Sequence, residues 1–120
     1  MLSLCRADGQ LLGVWGRSNE DVWVVSANGQ VLHFDGCEWR KMDSGTQQDL
    51  WWVYGFDDGS TYAVGAMGTI LRHTKDTGFV PMEIDTPVTL FGIWGSAPDD
   101  LYTIGFVANN AVPGGVFNYD

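Results

Sequence analysis

Val14-Trp15-Gly16-Arg17-Ser18-Asn19-Glu20-Asp21-Val22-Trp23-Val24-Val25 is written into this chain three times, in changing letters. It lines up with Val53-Tyr54-Gly55-Phe56-Asp57-Asp58-Gly59-Ser60-Thr61-Tyr62-Ala63-Val64, and again with Ile93-Trp94-Gly95-Ser96-Ala97-Pro98-Asp99-Asp100-Leu101-Tyr102-Thr103-Ile104. The step from Trp15 to Tyr54 is 39 residues and from Tyr54 to Trp94 it is 40. The pairs Trp15/Trp23, Tyr54/Tyr62 and Trp94/Tyr102 all keep a spacing of 8. A period near 40 with several strand-like runs in each period predicts a repeated β architecture of the propeller type.

Outward from that stretch, each copy reads as a four-stranded antiparallel meander. Leu11 to Trp15 is a first strand, matched by Leu50 to Tyr54 and Leu90 to Trp94. Val22 to Ser26 is a second, apolar on consecutive residues, which suits a strand covered on both faces. Asn28-Gly29 is a strong two-residue hairpin signal, and Met67-Gly68 takes its place in copy two. Val31 to Phe34 and Trp39 to Met42 complete the unit. Pro81, in the matching fourth strand of copy two, places that strand at a sheet edge because proline cannot donate to a ladder. With apolar residues on both faces, one copy cannot hide its own surface. Copies must stack, with rings such as Trp15, Trp23 and Trp94 between them.

The expected organisation is one repeat domain over residues 1–120: a terminal strand and turn in 1–10, then units at 11–49, 50–89 and 90–120. The third unit has about six extra residues, roughly Val107 to Val112, and no fourth strand before Asp120. Met1 to Cys5 is a candidate for that missing strand. Three blades are too few for a closed propeller, so the chain is expected to be part of a longer array or to assemble as a homo-oligomer.

Composition narrows the function. A formal charge of −9 disfavours nucleic acid, whose phosphates it would repel. No apolar run approaches membrane-spanning length, and the opening Met1-Leu2-Ser3-Leu4-Cys5 is too short for a signal-peptide core. Cys5 and Cys37 make no disulfide framework and are expected to be small, half-buried thiols.

Acidic residues recur in the first turn of every copy: Glu20 and Asp21, Asp57 and Asp58, Asp99 and Asp100. In a meander these turns share a rim with Asp35, Glu38 and Asp76. That rim is either an acidic face for a cation or basic partner or simply a set of turn formers bonding nearby amides. Trp51 aligns with Leu12 and Phe91 and belongs to the core. Trp52 replaces Gly13 and Gly92, a candidate aromatic platform or a space-filling ring. His33 and His73 fall in different repeat slots and lack zinc spacing. They read as strand-surface histidines. No nucleophile elbow, phosphate loop or dinucleotide fingerprint occurs, and no cofactor or metal is expected.

Ile93-Trp94-Gly95-Ser96-Ala97-Pro98-Asp99-Asp100-Leu101-Tyr102-Thr103-Ile104-Gly105 resembles the repeat of bacterial surface and lipoprotein β-propellers, which reads approximately V-W-G-S-S-P-N-D-V-W-A-V-G. Tyr62 to Arg72 is similar to blades of the photosystem II stability/assembly factor-like and bacterial neuraminidase-repeat propellers. Thr74-Lys75-Asp76-Thr77-Gly78-Phe79 resembles a degenerate Asp-box, of which copy one keeps Asp35-Gly36 and Trp39. The resemblance covers Leu11 to Asp120. It implies a propeller fold, an extracytoplasmic location and most often a binding role, with the box as a structural turn. Arg17, Arg40 and Arg72 invite comparison with a sialidase arginine triad, but Arg40 belongs to an outer strand. The expected function is therefore a non-catalytic binding or scaffolding module for a protein or glycan. The alternatives are a remnant of a sialidase-like glycoside hydrolase and an oligomeric lectin of short chains.

Overall fold

The computed structural model describes residues 10–82, 88–106 and 115–119. Within them the chain is all-β. The first sheet holds β1 (Leu11–Ser18), β2 (Asp21–Ser26), β3 (Val31–Phe34) and β4 (Trp39–Met42). The second holds β5 (Leu50–Gly55), β6 (Thr61–Gly65), β7 (Ile70–Thr74) and β8 (Gly78–Met82). The third holds β9 (Thr89–Ala97), β10 (Asp100–Phe106) and β11 (Gly115–Tyr119). Every sheet is antiparallel and ordered as the chain runs. Among the described residues no helix is long and apolar enough to cross a membrane.

Local chemistry sets the turns. Asn28 and Gly29 have φ of 64° and 75°, the left-handed geometry that a tight hairpin connection demands. Met67 and Gly68 repeat it at 58° and 68°. The amides of Ser26 and Gly65 close the two turns identically, donating to Gln30 O and Thr69 O at 3.0 Å. Pro81 lies in β8, at the edge of its sheet.

The first strand of each sheet carries a bulge at one repeated position. The pairings skip Leu12, Trp51 and Phe91. A bulge adds twist and re-aims the extra side chain. Here two of the three extra side chains meet, the Trp51 ring against the Phe91 ring at 5.1 Å between centroids.

The sheets stack in sequence order, β1 and β2 against β5, then β5 and β6 against β9. Alternation along the strands divides the second sheet's residues between two cores. Val53, Ala63 and Leu71 join Trp23, Val25 and Val31 of the first sheet. Tyr62, Val64 and Ile70 join Leu90, Ile93 and Leu101 of the third. All five residues of β6 are buried, whereas in β2, the strand expected to be covered on both faces, Trp23 and Val25 are buried and Val22 and Val24 are only half-buried. Each such apolar side chain contributes roughly 1.5–3 kcal/mol by leaving water. Gly55 and Gly95 let the sheets come this close. A Cβ on Gly55 would lie 2.7 Å from the Trp15 ring and the Arg17 guanidinium, and one on Gly95 2.8 Å from the Phe56 ring.

Two expectations need correction. Trp94 is not covered: it is 55% exposed. It pairs with Tyr102 in the register, on the face turned away from the buried Ile93 and Leu101, and no described sheet lies beyond it. Cys37 is exposed rather than half-buried, because it sits in the β3–β4 turn. The expected strand at Met1 to Cys5 and the extra loop at Val107 to Val112 lie outside the described residues.

Candidate functional site

The β1–β2 and β3–β4 turns of the first sheet and the β5–β6 and β7–β8 turns of the second share one rim. Between them opens a cleft of about 750 Å³. Acidic Glu20, Asp21, Asp35, Asp58 and Asp76 line it together with basic Arg17, Arg72 and Lys75. Trp23, His33 and His73 also line it. The grouping of these five acidic residues follows from meander topology. The lining does not include Trp51, Trp52, Asp57, Asp99 or Asp100.

Asp21 is the hub. Its Oδ1 accepts from Trp23 Nε1 at 3.0 Å and lies 2.7 Å from His33 Nε2, while Oδ2 pairs with Arg17 Nη1. Burial opposes ionisation of this carboxyl, but hydrogen bonds from His33 and Arg17, and their charges, outweigh it and hold its pKa below the ordinary value. Arg17 extends to the second sheet, donating from Nε to Phe56 O at 2.7 Å and from Nη2 to Ser60 O and Thr61 Oγ1, both at 3.0 Å. Its guanidinium also lies 4.9 Å from the Trp15 ring centroid.

His33 stacks on Trp23 at 4.0 Å, and His73 approaches the same indole at 4.8 Å from the opposing sheet. His73 Nδ1 is buried without a hydrogen-bond partner among the described residues. Burial, and then the neighbouring His33, lower the His73 pKa. Both histidines therefore sit at the interface between sheets, not on a free strand surface. The signal was present in the repeat. His33 and His73 occupy slots one residue apart, so they point to opposite faces of successive sheets, and opposite faces of stacked sheets meet.

The remaining acidic residues act as turn clamps. Asp35 Oδ1 accepts the amides of Cys37 and Glu38 at 2.9 and 3.0 Å, and those bonds lower its pKa. Asp58 Oδ1 accepts from the amide and hydroxyl of Ser60 at 2.9 and 2.6 Å, with the same effect. Asp100 accepts from Ser96 Oγ at 2.7 Å and from Asn118 Nδ2 at 3.3 Å. Asp57 and Asp99 are exposed in their turns. Among the described residues no group of three or more His, Cys, Asp or Glu converges as a metal site would require.

The arginines do not form a triad. Arg40 pairs with Asp35 at 3.2 Å and Glu38 at 2.7 Å on the outer strand. Arg72 donates to the Tyr62 hydroxyl at 3.1 Å. Trp51 is partly buried, and Trp52 is 41% exposed further back along β5.

No family model matches the chain, and no solved structure matches it. Among curated proteins it is similar to the Immune protein Tsi7 of Pseudomonas aeruginosa, with 32% identity over 63 residues. The match covers 52% of this chain and 21% of that protein, so the chain spans about a fifth of the relative's length.

Proposed function

We propose that this chain is a non-catalytic binding module, part of a β-propeller-type array, that engages a protein partner at the rim cleft between its first two sheets. The observation that carries the reading is how the cleft's polar groups are used. Asp21 is bonded to Trp23, His33 and Arg17, and Asp35 and Asp58 hold their own turns. Three of the five carboxylates that line the cleft are thus committed to structure. What remains at the mouth is a net-acidic surface with Lys75 and Asp76 exposed on it. Such a surface suits a basic protruding segment of another protein, and the chain's charge of −9 would steer that encounter. Similarity to a protein named as an immune protein accords with a task performed by binding.

The test is affinity capture from a bacterial extract with the native chain and with a Lys75→Glu/Asp76→Lys variant of unchanged melting temperature. A protein retained by the native chain at low salt and lost with the variant is the expected result. Equal capture by both, or binding to a glycan array instead, rejects the cleft as a protein site. Turnover of a fluorogenic glycoside rejects the non-catalytic reading.

A further inference from the structure

The outer face of the third sheet is apolar, and no described sheet covers it. Trp94 is 55% exposed, Tyr102 40%, Ile104 51% and Val116 70%. The register puts Trp94, Tyr102 and Asn118 in one row and Gly92, Ile104 and Val116 in the next, with no charged side chain in either. The same repeat positions in the second sheet are Tyr62, Val64 and Ile70, and there the third sheet buries them to 3% exposure or less. In the first sheet they are Trp23, Val25 and Val31, buried against the second sheet. The molecule therefore shows twice what covers this face: the opposite face of another sheet of the same repeat.

Among the described residues that opposite face is open in part on the first sheet: Val14 is exposed, Val22, Val24 and Phe34 are half-buried, and Leu32 is buried. The register places Val14, Val24, Leu32 and, at the outer edge, Lys41 in one row, and Gly16, Val22, Phe34 and Trp39 in the next. Val14 is 58% exposed, whereas its equivalents Val53 and Ile93 are 0% and 6% exposed under the preceding sheet. Two glycines repeat the complementarity. Gly13 lets the second sheet approach until a Cβ would stand 2.8 Å from Trp51 O, while a Cβ on its counterpart Gly92 would meet only the Ile104 side chain, at 3.6 Å. Gly55 and Gly95 lie under side chains of the preceding sheet, while a Cβ on their counterpart Gly16 would touch only atoms of its own hairpin.

We propose that the outer face of the third sheet seats a second copy of this chain, which docks through the outer face of its own first sheet. The contact is head-to-tail and joins two different surfaces, as the two junctions inside the chain do. Two copies can satisfy both faces by closing on each other, giving six stacked sheets, within the range that rings of this kind adopt. The proposal goes beyond the rim cleft and does not depend on it.

Sedimentation of the purified 120-residue chain at on the order of 100 µM tests it. The expected mass is twice the chain's 13.2 kDa. Trp94→Glu and Val14→Glu, each at an exposed position and each checked for an unchanged melting temperature at low concentration, should both give monomer. Mixing the two variants should restore association, since each retains the face the other lacks. Val80→Glu, exposed on neither terminal face, should stay associated. A monomeric native chain overturns the proposal, as does a Val14→Glu variant that still dimerises, because third sheets would then be pairing with each other. Failure of the mixed variants to associate overturns it too.

Discussion

Arg17 reaches from the first sheet to the second with its whole guanidinium, meeting Phe56 O, Ser60 O, Thr61 Oγ1 and Asp21. Its removal strands a half-buried carboxylate and three acceptors. Arg17→Met should lower unfolding free energy in urea by about 2–3 kcal/mol, and Arg17→Lys should recover less than half of that, since an ammonium cannot match the planar fork. His73 gives the chain a pH dependence. Its folded pKa lies below the ordinary histidine value of 6.5, so the unfolded state binds the proton more readily. Its stabilising contribution is full above pH 6.5 and is lost as pH falls through the folded value. The urea midpoint should decline on acidification in that window, and His73→Phe should flatten the decline. The depressed pKa of Asp21 acts in a separate, lower window, beginning near the ordinary aspartate value of 3.8. At this scale the sequence revealed the acidic turns but hid the histidines and the reach of Arg17. Turn chemistry is local, whereas a contact between stacked sheets requires knowing which face each side chain takes.

The two hairpin connections differ in fitness at the scale of the element. Copy one puts asparagine at the left-handed position, and copy two puts Met67 there at φ 58°. A left-handed conformation costs a residue with a full side chain about 1–2 kcal/mol. Met67 is 62% exposed, so little packing offsets that strain. Met67→Gly should raise the melting temperature and stabilise by about 1 kcal/mol. Gly29→Ala should do the reverse, by about 2–3 kcal/mol, because its Cβ would collide with Thr46 O as well as strain the backbone. Gly45→Ala isolates the strain: φ is 79° and nothing lies within 4 Å, so its loss should be about 1 kcal/mol. Asn28-Gly29 announced its hairpin because few residues accept that geometry. The bulges at Leu12, Trp51 and Phe91 left no such mark. A bulge changes register without changing the apolar character of the residue that makes it.

For the whole molecule, the repeat of 39 and 40 residues made the stacked antiparallel sheets legible. Period and unbroken apolar runs both demanded sheets covered on two sides, and the middle sheet is so covered. Trp94 was misread because the pattern describes what a repeat requires, not which copy has a described sheet in front of it. Trp15, Trp23 and Trp94 carry the same apolar signature, yet among the described residues only the first two have a sheet in front of them. The closure proposed above turns on that difference.

The strand order has a mechanical consequence. Among the described residues every strand of a sheet is hydrogen-bonded only to its neighbours in the chain, so tension applied at the two ends loads the outermost of these strands as zippers, one bond pair at a time. Such a molecule should yield at low force and in small successive extensions, sheet by sheet, rather than by a single abrupt rupture. An optical-trap record of the tethered chain would show that staircase.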